Sequence, residues 1–301
     1  MRHVNESSQM SSTFVEAEIA SQPDTWRLAA ELAASAGDSL PRPGERVAVV
    51  GCGTSWFIAM SYAVLREQAG QGVTDAFAGS EFPATRSYDR VIAISRSGTT
   101  TEIIELLAAL GTTPTTLITA VADSPAAPLA NDVIALPFAD EQSVVQTRFA
   151  TSALTVLRVH LGEDVEPLIA DVKLALEIPV EDLTSATQCT FIGRGFAIGL
   201  TFEAALKTRE AAQFWSESYP AMDYRHGPIA IAEPGRLVWS FGEAPEGLSD
   251  EVARTGARFV QHDLDPQAGL VVAQRFAVAL ALSRGLDPDR PRSLTRSVIL
   301  A

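Results

Sequence analysis

The sequence predicts an α/β protein with two tandem, doubly wound parallel sheets that carry helices on both faces. Short runs of apolar and β-branched residues alternate with helical segments through the first half of the chain, which is typical of βαβ units. The second half of the chain repeats the beginning of this pattern. A strand that ends in a glycine turn occurs as Val-Val-Gly-Cys-Gly at 49–53 and again as Phe-Ile-Gly-Arg-Gly at 191–195. The length of 301 residues also favours about two domains.

The first half begins with a helical stretch. It covers residues 14–36, with a break at Gln22-Pro23 and a new start at Asp24 as N-cap. Strands are then predicted over residues 47–50, 73–77, 91–94, 115–120 and 133–136, and helices over residues 56–69 and 101–110. A helix-rich segment over residues 146–176 closes this half.

The second half is shorter. Strands are predicted over residues 190–192, 237–241 and 258–261, and helices over residues 197–215 and 269–284. The most apolar stretch, 271–282, contains Gln274 and Arg275 and therefore indicates a buried helix rather than a membrane span. The resulting division is a helical segment at 1–40, a first domain at 41–178 and a second domain at 185–301.

Composition excludes several classes of protein. Asp and Glu number 37 against 23 Lys and Arg, so the net charge is −14, which argues against nucleic acid as a partner. Hydrophobic residues make up 47%, which excludes disorder. Cys52 and Cys189 are too few for a disulfide framework. Residues 1–12 are polar and expected to fray, and residues 1–10 lack the apolar core of a secretory signal, so we expect a cytoplasmic protein without a membrane segment.

The strongest chemical signal is the serine-rich loop, residues 95–100, with the sequence Ser-Arg-Ser-Gly-Thr-Thr. It follows a buried strand and opens a helix, whose N-terminal N–H groups favour anions. Gly98 allows close backbone approach, and the hydroxyls of Ser95, Ser97 and Thr100 can donate hydrogen bonds. A single hydroxyl would be explained by helix capping, whereas three with a glycine favour a phosphate site.

A second turn, Gly51-Cys52-Gly53-Thr54-Ser55, follows the preceding strong strand. It matches a dinucleotide fingerprint only in its first two glycines, so it is either a plain strand–helix turn or the other wall of the same crevice. Parallel topology places the carboxyl ends of neighbouring strands together, which favours the crevice.

Two further features concern ionisable groups. Glu203, Lys207 and Glu210 share one face of a largely apolar helix, so they are either a pair along a solvated edge or part of a site. His226 lies on a Gly-Pro turn where it could transfer protons, although a lone histidine rarely proves to be functional. The four histidines show no metal-ligand spacing, so no metal site is predicted.

These motifs together resemble the tandem SIS (sugar isomerase) domain family. The similarity is to the isomerase part of glucosamine-6-phosphate synthase and to aminosugar-phosphate deaminases and isomerases. It is carried by the serine-rich loop, by residues 203–210, and by Arg-His-Gly-Pro at 225–228, with support from Gly-Cys-Gly-Thr-Ser, Gln146-Thr147 and Pro-Arg-Ser-Leu at 291–294. The resemblance implies flavodoxin-like SIS domains, a sugar phosphate substrate, no cofactor and a homodimer.

The resemblance also implies residue roles. Glu210 would shuttle a proton between C1 and C2, Lys207 would stabilise the enediol-like oxygen, and His226, from the partner subunit, would help open the sugar ring. The sugar phosphate would be held by Gly53, Thr54, Ser55, Ser95, Arg96, Ser97, Thr100, the backbone of Val144, Gln146 and Arg296.

Two departures from the family bear on the reaction. The sequence has no N-terminal glutaminase domain with a nucleophilic cysteine, so we expect no use of glutamine. Arg296 stands where the synthase has a Schiff-base lysine, and an arginine stays protonated and cannot form the imine. We therefore expect an isomerase or deaminase acting on an aminosugar 6-phosphate. The alternatives are a non-catalytic phosphosugar-binding regulator and a deglycase of glycated amino acid 6-phosphates. An anionic ligand in this acidic chain should meet a local positive field near Arg96, Lys207 and Arg296.

Overall fold

The computed structural model describes residues 13–300, so the expected fraying of residues 1–12 lies outside the described range. The helices are α1 Phe14–Ala20, α2 Gln22–Ser35, α3 Thr54–Gln68, α4 Thr101–Ala109, α5 Arg148–His160, α6 Val165–Glu177, α7 Ala197–Ala212, α8 Leu248–Arg254 and α9 Pro266–Ser283. The strands are β1 Val47–Gly51, β2 Thr74–Ala78, β3 Arg90–Ile94, β4 Thr115–Thr119, β5 Asp132–Ala135, β6 Gln188–Gly193, β7 Ser216–Pro220, β8 Arg236–Phe241 and β9 Arg258–Gln261.

The strands form two parallel sheets, one in each half of the chain. The first has the order β2-β1-β3-β4-β5 and the second the order β7-β6-β8-β9. Strand order therefore reverses direction between β1 and β3, and again between β6 and β8. In open parallel sheets such a reversal opens a crevice at the carboxyl ends of the two strands, where ligands bind. Two α/β sheets were predicted, and two are present.

Both faces of the first sheet are covered, as the uninterrupted apolar strands predicted. Val47 and Val49 face a core that continues through α5, α7 and α9 into the second half. Ala48 and Val50 face the opposite side, where they pack with Ile103 of α4. The second sheet repeats this plan, with α8 on its outer face. The two halves are thus joined through one buried core rather than through a flexible linker.

The helices that follow β1 and β6 pack directly against each other. Gly199 on α7 lies against α3, where a Cβ atom would stand 2.3 Å from the carbonyl oxygen of Phe57 and 2.4 Å from Oγ of Ser61. The side chain of Ser61 crosses the same contact and donates to the carbonyl oxygen of Phe196 at 2.9 Å. Absence of a side chain at position 199 therefore sets how closely α7, which carries Glu210, approaches α3.

Several element predictions were wrong. Helix α2 begins at Gln22 rather than after an N-cap at Asp24. Pro23 fits in the first turn of the helix, because an N–H group at that position would have no partner within the helix. Helix α7 ends at Ala212 rather than at 215, since Gln213 adopts a left-handed φ of 49°. Strand β7 and helix α8 were not predicted. Within residues 13–300 no helix combines the length and apolarity needed to cross a membrane.

The α3–α7 contact yields a first prediction. Gly199→Ala should lower the thermal unfolding midpoint and destabilise the protein by about 1–3 kcal/mol, because the added methyl group meets backbone that cannot move aside. The matched control is Gly269→Ala in α9, where a Cβ would make an ordinary 3.7 Å contact with Phe241. That control should stabilise by about 0.5–1 kcal/mol through helix propensity. Equal midpoints for the two variants would contradict the close contact.

Candidate active site

A cavity of about 190 Å³ lies at the carboxyl ends of β1 and β3, where the strand order reverses. The N-termini of α3 and α4, the C-terminal part of α7, the loop at 144–146 and the chain end at 294–298 surround it. All the predicted site residues except His226 line it, namely Gly53, Thr54, Ser55, Ser95, Arg96, Ser97, Thr100, Val144, Gln146, Lys207, Glu210 and Arg296. Residues far apart in sequence thus meet in one place.

The serine-rich loop presents unused donors to this cavity. Oγ of Ser95 accepts the N–H of Gly98 at 3.2 Å, and Oγ of Ser97 accepts the N–H of Thr99 at 3.2 Å. Each hydroxyl acts as acceptor within the loop, so its own proton is left to donate to a ligand. The loop also needs a glycine. Gly98 has a φ of +61°, and a Cβ there would stand 2.1 Å from Oγ of Ser124.

Arg96 does not face the cavity as a free cation. Its guanidinium forms a buried ion pair with Glu141 at 3.3 Å, with both side chains at most 2% exposed. The same guanidinium donates to the carbonyl oxygens of Ser143, Val144 and Arg296 at 3.2, 3.3 and 2.9 Å. Arg96 therefore fastens the serine-rich loop to two other segments of the wall.

Glu141 holds the other side of that wall. Its second oxygen accepts from the N–H and hydroxyl of Thr147 at 2.5 and 2.9 Å, and from the N–H of Arg148 at 2.8 Å. These are donors at the start of α5, where a carboxylate is favoured. Glu18 of α1 accepts the N–H of Gln142 at 2.5 Å and supports the same loop. The backbone that presents Val144 and Gln146 is therefore held from both ends.

The chain end closes the remaining side of the cavity. Ser297 shares a 2.8 Å hydrogen bond with the Thr99 hydroxyl, and the carbonyl oxygen of Val298 accepts the N–H of Thr101 at 3.2 Å. Arg296 is ion-paired with Asp140. The expected positive field at Arg96, Lys207 and Arg296 is therefore largely cancelled by carboxylates. What remains for an anion is the pair of helix N-termini and the free hydroxyl protons.

A buried charge cluster forms the wall contributed by α7. Nζ of Lys207 contacts the carboxylate of Glu210 and lies 3.6 Å from Oε1 of Glu203. Lys207 is 1% exposed and Glu203 is fully buried, whereas Glu210 remains partly open to the cavity. The predicted alignment on one helix face is thus present. Lys207 and Glu210 line the cavity and Glu203 is fully buried, so the three groups do not lie along a solvated edge.

Glu203 and Glu210 compete for one ammonium group. Neither oxygen of Glu203 has a hydrogen-bond partner within the described part of the chain. Burial raises the pKa of Glu203 to about 8, with the Lys207 charge lowering it and the Glu210 charge raising it. Near neutral pH, Glu203 therefore keeps its proton, and Lys207 is left to balance Glu210.

His226 is placed elsewhere. It lies in an exposed turn after β7 and does not line the cavity within this chain. The role of His226 in ring opening stays a prediction. Its contribution from a partner subunit also stays a prediction. Sequence reasoning missed Glu141, Asp140 and Ser297, whose importance depends on contacts across more than 40 positions of sequence and has no local signal.

This site lies on a fold that is shared with known proteins. Residues 42–160 match the SIS domain family. Glutamine–fructose-6-phosphate aminotransferases [isomerizing] are similar over a longer range. The one from Methanothermobacter thermautotrophicus is 30% identical over 305 residues, covering 84% of this chain and 51% of that protein. The one from Sulfolobus acidocaldarius is 27% identical, covering 84% and 50%. The chain spans about half the length of these curated relatives.

Solved structures extend the similarity to nearly the whole chain. Glucosamine-6-phosphate deaminase from Thermotoga maritima aligns with a TM-score of 0.81 at 24% identity, covering 96% of this chain and all of the other. Tagatose-6-phosphate ketose/aldose isomerase from Escherichia coli aligns with a TM-score of 0.79 at 19% identity, covering 96% of each. The chain therefore contains a SIS domain. It is homologous to the isomerase part of the aminotransferases and shares its fold with phosphosugar isomerases and deaminases.

The state of Glu203 yields a second prediction. Its pKa in the folded protein, about 8, exceeds the ordinary 4.5, so the folded state holds a proton that the unfolded state has released. The stability that this proton contributes is full below about pH 4.5 and is lost as the pH rises through about 8. The unfolding midpoint should therefore fall between about pH 5 and about pH 9, and less steeply in Glu203→Gln.

The control is Glu105→Gln on the exposed surface of α4, which should keep the wild-type slope. Identical slopes for all three proteins would show that Glu203 does not carry this proton.

Proposed function

We propose that this protein is a sugar-phosphate aldose–ketose isomerase or an aminosugar-phosphate deaminase, and that it acts in the cytoplasm on a 6-phosphorylated (amino)sugar. The observation that carries the proposal is that one cavity combines a hydroxyl-rich anion site with a carboxylate–ammonium pair. The serine-rich loop and the α3 N-terminus stand on one wall, and Lys207 and Glu210 on another. The names of the homologous proteins support this class of substrate.

The phosphate group binds at the carboxyl ends of β1 and β3. Thr54 begins α3 and Thr100 precedes α4, so both helix N-termini point their partial positive charges into the cavity. The hydroxyl protons of Ser95 and Ser97 complete the contacts. This arrangement binds a dianion without a free cation, which suits a wall whose arginines are already paired with carboxylates.

Glu210 moves the proton between C1 and C2. It is the one carboxylate of the α7 cluster that lines the cavity, and its oxygen contacts Nζ of Lys207. As Glu210 takes the C2 proton, negative charge develops on the neighbouring sugar oxygen, and the Lys207 ammonium stabilises it. Glu203 takes no direct part and, by staying protonated, leaves the Lys207 charge available.

His226 completes the site from a second subunit. The turn that carries it is exposed in this chain, and ring opening requires a group that can exchange a proton near neutral pH. A homodimer that places this turn against the neighbouring cavity supplies it. The equal order of β2-β1-β3-β4 and β7-β6-β8-β9 supports two tandem, doubly wound SIS domains, at 41–178 and 185–301, as duplicated halves.

The proton shuttle yields a third prediction. Glu210→Gln should reduce turnover of glucosamine 6-phosphate by roughly 10²–10⁴-fold, because the amide cannot accept the C2 proton. Binding of the same compound, measured by calorimetry, should stay within about threefold, since the phosphate contacts are intact. Glu105→Gln should retain full activity. A wild-type protein that binds sugar phosphates without releasing ketose or ammonia would instead be a regulator.

The shared site yields a fourth prediction. Glu210→Gln and His226→Ala homodimers should both be inactive. When the two are unfolded together and refolded, half of the dimers are mixed, and one of their two sites pairs Glu210 with His226. Mixing should therefore restore about a quarter of wild-type activity. No recovery on mixing would mean that each site takes both residues from one chain.

A further inference from the structure

Asp289 joins three segments that surround the cavity. It lies between α9 and the chain end at 294–298, which lines the cavity. Its two carboxylate oxygens accept the N–H groups of Phe14 and Val15, each at 2.8 Å, at the start of α1. Its carbonyl oxygen accepts the N–H of Val144 at 3.2 Å. Asp289 does not itself line the cavity, so its effect on a ligand must pass through these partners.

The contact with Val144 decides which backbone group this residue can offer to a sugar. The N–H of Val144 already donates to Asp289 and is not free to bind a ligand. The carbonyl oxygen of Val144 accepts one hydrogen bond, from Arg96 at 3.3 Å. A carbonyl oxygen has two lone pairs, so this one can accept a second hydrogen bond from a hydroxyl or amino group. Val144 is therefore an acceptor for the ligand, held by Asp289 on one side and by Arg96 on the other.

Helix α1 connects Asp289 to the same loop by a second route. The carboxylate of Asp289 pairs with two N–H groups that have no partner within the helix, and a negative charge is favourable at that end. Further along α1, the buried Glu18 accepts the N–H groups of Gln142 and Ser143 at 2.5 and 3.3 Å. Asp289 thus holds residues 142–144 directly through its main chain and indirectly through α1.

We infer that Asp289 is a positioning residue of the substrate site, which holds the Val144 carbonyl oxygen where it accepts a hydrogen bond from a hydroxyl or amino group of the sugar. The inference rests on the proposed function, because that function places a phosphosugar in the cavity. It assigns part of the affinity for the sugar to a contact outside the cavity, whereas affinity for the phosphate belongs to the serine-rich loop and the α3 N-terminus. The two parts of the ligand should therefore respond differently to a change at Asp289.

The test compares glucosamine 6-phosphate with inorganic phosphate, by calorimetry on the full chain. Asp289→Ala should raise the dissociation constant of glucosamine 6-phosphate roughly five- to tenfold, which is the effect of about one hydrogen bond. The constant for inorganic phosphate should stay within about twofold, since the helix N-termini are unchanged. Asp289→Asn keeps one acceptor oxygen and should give an intermediate value. The matched control is Asp250→Ala, which removes an exposed carboxylate from the first turn of α8 and should leave both constants unchanged.

Stoichiometry separates positioning from a folding defect. A folding defect lowers the fraction of chains that bind and leaves both dissociation constants as they are, whereas positioning raises one constant at full stoichiometry. Equal changes for the two ligands, or unchanged constants in Asp289→Ala, would overturn the inference. Turnover of glucosamine 6-phosphate is read separately, and KM should rise in Asp289→Ala while kcat stays within about threefold. Absence of turnover in the wild type would refute the proposed function, while a selective loss of sugar affinity in Asp289→Ala would still establish the positioning role.

Discussion

The buried ion pair between Arg96 and Glu141 holds the site together. Arg96 belongs to the serine-rich loop after β3, and Glu141 belongs to the segment that starts α5. Between them they bind three pieces of backbone: the loop itself, residues 143–144 and the chain end at 296. A buried ion pair adds little stability compared with an apolar contact of similar size, but loss of one partner leaves the other charge buried and uncompensated, which destabilises the protein. The pair therefore fixes geometry more than it adds stability.

The same kind of pairing bears on how the proposed anion would bind to an acidic protein. The cations that line the cavity each form an ion pair with a carboxylate. The pairs are Arg96–Glu141, Arg296–Asp140 and Lys207–Glu210. Cations neutralised in this way hold neighbouring segments in place. Attraction for the proposed phosphate would therefore come from the helix N-termini and the hydroxyl protons. These donors are held by the fold and need no reorganisation when the ligand arrives. Net charge of the chain and affinity for an anion are therefore separate properties.

Sequence predicted the parts of this structure that are local. The buried strands 47–50 and 91–94 are continuous apolar runs, and Lys207 and Glu210 are spaced to meet on a helix. It failed for β7, a polar strand at the edge of the second sheet, whose existence is set by pairing with β6. It also failed for the protonation of Glu203 and for the contacts of Asp289. The protonation of Glu203 and the contacts of Asp289 both depend on how segments far apart in sequence pack together. The spacing of residues along the chain does not predict that packing.

Lys207 connects the chemistry to the helix packing. Two carboxylates lie near one ammonium group, and a fully buried site cannot hold a second uncompensated charge at low cost. The fold resolves this by burying Glu203 completely, so that its proton is retained, while Glu210 faces the cavity. Burial of Glu203 requires α7 to pack closely against its neighbours, and Gly199 permits that approach to α3. The absence of a methyl group at position 199, one turn before Glu203, thus contributes to the packing that buries Glu203 and raises its pKa.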